Sequence, residues 1–127
     1  MKEQTEVGKL KEGRYVVIDE EPCIILSITH SKPGKHGSAK ARVDAIGIFD
    51  GQKRSIVSPV DAKIYVPIVE RKRAQVLSIS GDIAQLMDLD DYSTFELKLA
   101  PEDKVRIKVG EEVPYLTAMG KVKLDIR

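Results

Sequence analysis

Apolar and polar residues alternate in short runs along this chain, and that period of two predicts strands rather than helices. The alternation is cleanest from Ala39 to Phe49: Ala39, Ala41, Val43, Ala45 and Phe49 share one face, while Lys40, Arg42 and Asp44 share the other. Upstream, the turn Lys11-Glu12-Gly13 leads into a β-branched run from Arg14 to Ile18. The acidic turn Asp19-Glu20-Glu21-Pro22 then leads into Cys23 to Thr29. Asp50-Gly51 is a hairpin signal, and strands follow at Lys53 to Val57 and Lys63 to Val66, separated by Pro59 and Asp61. Five short strands within roughly seventy residues predict a small barrel.

The pattern restarts beyond Pro67. Glu70-Arg71-Lys72-Arg73 reads as a charged junction with little to bury, and strands resume at Ala74 to Ser80, the turn Gly81-Asp82, and Ile83 to Met87. Asp88-Leu89-Asp90-Asp91-Tyr92 reads as a turn-rich link. It precedes Thr94 to Leu99, where Phe95, Leu97 and Leu99 oppose Thr94, Glu96 and Lys98. After Gly120, Val122, Leu124 and Ile126 point one way and Lys121, Lys123 and Asp125 the other. Pro101 to Val109 fits a helical turn, a strand or a loop. The alternative is one continuous sheet protein with a charged turn. The restart favours an all-β chain of two small barrels in tandem, residues 1–69 and 70–127, the second closed or partly open with five strands.

Composition narrows the class. In 127 residues, 42% hydrophobic content suffices for packed cores, and 5% aromatics without tryptophan makes those cores aliphatic. No apolar run approaches the roughly twenty residues that cross a bilayer. Met1-Lys2-Glu3-Gln4 holds no hydrophobic signal region. The single Cys23 can form no internal disulfide and sits in an apolar run, which predicts a buried core thiol. These features point to a cytoplasmic protein without membrane contact.

The candidate chemistry lies in Ser31-Lys32-Pro33-Gly34-Lys35-His36-Gly37-Ser38-Ala39-Lys40. Pro33 favours a turn, and Gly34 and Gly37 leave no side chains to shield Lys35, so the segment reads as a loop tip presenting that lysine. No acid appears between Glu21 and Asp44, while Lys32, Lys35, Lys40, Arg42, His30 and His36 all do. On a chain of net charge +1, this focused basic patch suits a phosphate-rich partner. From charge alone, a solvated hairpin with incidental lysines fits equally well. Residues 1–69 carry 11 basic and 9 acidic groups, residues 70–127 carry 10 and 11, so the first domain is the better anion binder.

Catalytic readings fail on spacing. A phosphate-binding loop requires glycine where Thr29 stands, and His36 follows the lysine where Ser or Thr is needed. Gly34 and Gly37 make only a pair where a dinucleotide fingerprint needs three glycines. Lys35 and His36, adjacent on an extended tip, point apart and have no buried setting to lower an amine pKa. We therefore read no catalytic residues, no metal ligands and no enzyme.

The segment Ser31 to Arg42, together with Gly47-Ile48-Phe49-Asp50-Gly51, closely resembles the archaeal branch of the translation initiation factor 5A family. Val16-Val17-Ile18-Asp19, Glu21-Pro22-Cys23, Val66-Pro67-Ile68, Gln85 to Leu89, Tyr92 and Thr94-Phe95-Glu96 extend the resemblance over essentially the whole chain. It implies an SH3-like barrel joined to an OB-fold. It also implies that Lys35 is converted to hypusine or deoxyhypusine with an aminobutyl group from spermidine. The NAD that reaction uses belongs to deoxyhypusine synthase, so this chain needs no cofactor of its own.

The implied partners are that synthase, the large-subunit rRNA of the ribosome and peptidyl-tRNA, met by a monomer. The implied role is to promote peptide-bond formation, for the first bond and at stalls. Ser31, Lys32, Pro33, Gly34, His36, Gly37 and Ser38 form the modification loop, and Lys32, Lys35, His36, Lys40 and Arg42 are the expected RNA contacts. Bacterial elongation factor P, a counterpart, has a third domain for which this chain has no room. The Pro101 to Val109 region is shorter than the helix-bearing insertion of many relatives. Two other readings compete: an unmodified RNA-binding module stacking bases on Tyr92, Phe95 or Tyr115, and an enzyme using Lys35 as a Schiff-base nucleophile.

Overall fold

The computed structural model describes residues 2–31 and 39–125. The chain divides into two compact units, Met1–Ile68 and Val69–Arg127. The first holds β1 (Lys2–Glu6), a 3-10 turn at Val7–Lys9, β2 (Tyr15–Ile18), β3 (Glu21–His30), β4 (Lys40–Gly47), β5 (Lys53–Pro59) and β6 (Lys63–Pro67). Strands β2-β3-β4-β5 form an antiparallel sheet in sequence order, and β1 pairs with β6. The expected face of β4 holds: Ala41, Val43 and Ala45 are buried, Lys40 and Arg42 exposed. They pack with Val16, Ile18, Cys23 and Ile25 in an aliphatic core.

The structure differs from the sequence reading in three places here. β1 is an additional strand with the polar sequence KEQTE; its hydrogen-bonding partner β6 makes it one, not an apolar face. The turn after β2 is only Asp19-Glu20, both at positive φ (52° and 63°), as a two-residue hairpin of this twist requires. Glu21 and Pro22 already belong to β3, with Pro22 buried opposite Val17. Phe49 lies in the turn beyond β4, not on its apolar face.

The second unit is a five-stranded antiparallel sheet in the order β11-β10-β7-β8-β9. Its strands are β7 (Glu70–Ser80), β8 (Ile83–Asp88), β9 (Thr94–Lys98), β10 (Glu112–Ala118) and β11 (Lys121–Leu124), with a single helical turn α1 at Pro101–Lys104. Pro101 opens α1 where its missing N–H costs nothing, and Glu102 and Asp103 complement the positive helix end. Gly81 supplies the positive φ (63°) for the two-residue turn joining β7 to β8. Ala74, Val76, Ala84, Leu86, Val113 and Leu124 are buried at the centre. The charged stretch Glu70 to Arg73 is not a junction: it is the start of β7, paired with Pro114 to Thr117 of β10. Among the described residues, no helix is long and apolar enough to cross a membrane.

Candidate functional site

The two strands that flank the lysine segment owe their geometry to one irregularity. Between Ile25 and Ser27 the β3–β4 register shifts, leaving Leu26 as an exposed extra residue. Before this bulge the odd residues Cys23 and Ile25 face the core; beyond it Ile28 packs inward instead. Ser27 and Thr29 are thereby opposite Asp44 and Arg42, on the outer face of β4. Ser55 and Val57 of β5 stand opposite the same two residues from the other side. Alternation within β3 alone could not reveal this change of phase.

Asp44 organises that outer face. Its carboxylate accepts hydrogen bonds from the hydroxyls of Ser55 (2.5 Å) and Ser27 (3.1 Å) and from Nε of Arg42 (3.3 Å). Ser55 is the main reason its carboxyl is held below the usual carboxylate range, with Ser27 and Arg42 adding to the effect against partial desolvation. Arg42 is still largely exposed, so it is anchored at one edge and free to meet a ligand. The sequence placed Asp44 on the polar face of this strand with Lys40 and Arg42, but not its bonds to Ser27 and Ser55. Its i, i+2 spacing from Arg42 was the signal that both share one face.

The root of the lysine segment is closed by Ser31 and Lys40. The Ser31 N–H donates to the Lys40 carbonyl at 2.9 Å, and the Ser31 hydroxyl lies 3.2 Å from that carbonyl and 3.3 Å from the Lys40 N–H. One residue along, the Val60 N–H donates to the Ala39 carbonyl at 3.0 Å. Around this root Thr29, His30, Lys40, Arg42 and Val57 line a recess of about 130 Å³. Of the expected site residues, Ser31, Lys40 and Arg42 are thus brought together, with His30 beside them. Lys32, Pro33, Gly34, Lys35, His36, Gly37 and Ser38 lie outside the described residues.

The second unit gives little to a base-stacking reading. Tyr115 is buried, with its ring centroid 4.9 Å from that of Phe95, and its phenol donates to the carboxylate of Asp88. Of the three aromatics named for stacking, only Tyr92 is well exposed. Asp88 is itself buried at the end of β8 rather than solvated in a link. It also accepts the backbone N–H groups of Asp90 (2.8 Å) and Asp91 (3.1 Å), with the Lys72 ammonium 3.6 Å away. The Tyr115 bond above all, helped by those amides and Lys72, outweighs burial and lowers the Asp88 pKa to about 2. Burial, then the neighbouring Asp88, pushes the Tyr115 phenol well above its ordinary value.

Family models match nearly the whole chain. Residues 2–62 match "Translation initiation factor 5A-like, N-terminal" and residues 68–124 match "Eukaryotic elongation factor 5A hypusine, DNA-binding OB fold". This chain belongs to the translation initiation factor 5A family. It is 69% identical over 127 residues to translation initiation factor 5A of Methanosarcina mazei, covering all of this chain and 99% of that one. Identity to the Methanocella arvoryzae protein of the same name is 68%, with the same coverage. The solved eukaryotic translation initiation factor 5A from Methanococcus jannaschii superposes with a TM-score of 0.86 at 50% identity, covering 97% of this chain and 92% of that chain. A family protein from Naegleria fowleri gives 0.79 at 40% identity, covering 97% and 95%. The expected fold therefore stands: all-β, with an SH3-like barrel and an OB-fold. The relatives of this 5A family member are named as translation factors rather than enzymes.

Proposed function

We propose that this protein acts in the cytoplasm as a monomeric translation factor. It binds the ribosome next to peptidyl-tRNA, and promotes formation of the first peptide bond and of bonds at stalls. Lys35, extended to deoxyhypusine or hypusine by deoxyhypusine synthase, is the working group. The extension draws an aminobutyl group from spermidine, and the NAD it uses stays with the synthase. One thin arm then carries two positive charges into an RNA channel too narrow for a polypeptide loop. Its ammonium groups meet phosphates and sugar hydroxyls without reading base sequence. The benefit comes from orienting a substrate already held by the ribosome, so the factor itself makes and breaks no bonds.

The observation that carries this reading is the root. Ser31 and Lys40 join the ends of the segment bearing Gly34-Lys35-His36-Gly37, on a face where Lys40 and Arg42 are exposed. The family model named for hypusine matches residues 68–124, and the translation initiation factor 5A-like N-terminal model matches residues 2–62, which include Lys35. Lys40 and Arg42, with Lys32 and His36, would steady the segment against RNA phosphates. The test is peptide mass spectrometry of protein purified from its native cell, with Lys35→Arg assayed for peptide-bond stimulation. The expected result is a mass increment on the Lys35 peptide and loss of stimulation in the variant. An unmodified native Lys35 would overturn the reading.

A further inference from the structure

The first unit has a second cationic surface that the lysine segment does not explain. An open groove of about 420 Å³ is lined by Lys9, Lys11 and Arg14, with Glu3, Thr5 and Tyr15 among its other walls. The 3-10 turn Val7–Lys9 and the turn at Lys11-Glu12-Gly13 bring these cations together by burying Val7 and Leu10 beneath them. Lys9, Lys11 and Arg14 are exposed, and none forms an ion pair among the described residues. The acids nearby offset them only in part. Glu6 is paired with Lys63 at 3.3 Å, Glu12 accepts the Ile28 N–H at 3.3 Å and keeps its charge, and Glu3 is the one acid among the groove's lining residues.

Three exposed cations without ion pairs among the described residues, set around an open trough of mixed polar and apolar walls, suit a phosphodiester strand. Such a strand needs charge at intervals rather than an enclosing pocket. The groove is also tied to the site already described. Glu12, next to Lys11, bonds the Ile28 N–H near the end of β3, and Ser31 follows three residues later, just past that strand, about 10 Å away if the chain stays extended. We infer that this groove is a second RNA-backbone site, so that one RNA surface is held both at the Ser31–Lys40 root and along Lys9, Lys11 and Arg14. This deepens the proposed function and rests on it for the identity of the RNA.

The test uses the full chain carrying Lys9→Gln, Lys11→Gln and Arg14→Gln together. A control neutralises Lys104, Arg106 and Lys108, exposed cations of the second unit, with the same loss of charge. Binding to a labelled oligouridylate and to purified large ribosomal subunits is followed over a salt series, with polyglutamate as a second competitor. Spermidine labelling of Lys35 by the synthase is measured alongside. The groove variant should lose tenfold or more in affinity for both RNAs. Its slope of log K against log salt should flatten by roughly 2, since each lost phosphate contact removes about 0.7. The control should bind like the parent, and polyglutamate should compete far less well than RNA. An unchanged slope, an equal loss in the control, or equal competition by polyglutamate would overturn the inference. The oligouridylate measurement needs no modified Lys35, so it stands apart from any failure of the proposed function. Unaltered labelling of the groove variant would show that its loss does not arise through the synthase.

Discussion

Ser31 and Lys40 face each other across the root of the lysine segment, joined by a backbone bond of 2.9 Å and bridged by the Ser31 hydroxyl. That hydroxyl is the side-chain contact at the root among the described residues, and it adds to the backbone bond there.

Replacing it tests the root directly. Ser31→Ala keeps the backbone bond and removes only exposed hydrogen bonds, so the stability loss should stay below about 1 kcal/mol. The rate of spermidine labelling at Lys35 should nevertheless fall severalfold, because the segment would enter the synthase from a looser base. Urea melts and initial labelling rates measure the two effects. Equal labelling in both proteins would assign the hydroxyl no role beyond stability.

Gly47 is a close-approach position at the end of β4. A Cβ there would lie 1.9 Å from Oδ1 of Asp50, the carboxylate that holds the Arg54 guanidinium at 2.8 and 3.1 Å. Gly47→Ala must push Asp50 off Arg54, whose side chain is largely covered, and should cost about 1–3 kcal/mol. Asp50→Ala should remove most of the same energy, so the double variant should be far less damaging than the sum. Additive losses in thermal melts would contradict this account.

Tyr115→Phe should leave the ring packed at a tilt against Phe95 but take away the strongest partner of Asp88. A hydrogen bond to a charged, buried carboxylate is worth about 1.5–3 kcal/mol at neutral pH. The pH dependence follows from the depressed carboxyl. Asp88 titrates at about 2 when folded against an ordinary 3.8, so its stabilisation is complete above 3.8 and disappears as pH falls through 2. Urea denaturation from neutral pH downwards should therefore show the gap between parent and Tyr115→Phe shrinking across that window. A gap that does not change with pH would point to packing instead.

Cys23 lies fully buried in the first core, and burial raises its thiol pKa despite the nearby Arg54. Native protein should resist iodoacetamide at neutral pH and label rapidly once unfolded in guanidinium. Fast labelling of the native chain would mean that this core opens locally.

Much of this architecture was open to a reader of the residues alone. A period of two along Ala41 to Ala45 and Thr94 to Leu99 exposes a buried face directly, because adjacent side chains in a strand must point apart. Turns with Gly51, Gly81 and Gly120 announce themselves by residue type, and the glycine-flanked Lys35 is local in the same sense. Other features had no local signal. KEQTE becomes a strand only because β6 supplies hydrogen bonds, and Glu70 to Arg73 only because β10 does. The bulge at Leu26, which turns Ser27 toward Asp44, depends on how β3 meets β4. Asp88 reads as one more acid in an acidic turn until Tyr115, 27 residues away, closes over it. Side-chain alternation and turn chemistry are written into neighbouring residues, so the sequence by itself determined them. Pairing partners, register shifts and the company of a buried charge involve segments distant along the chain, and only the folded structure could decide those.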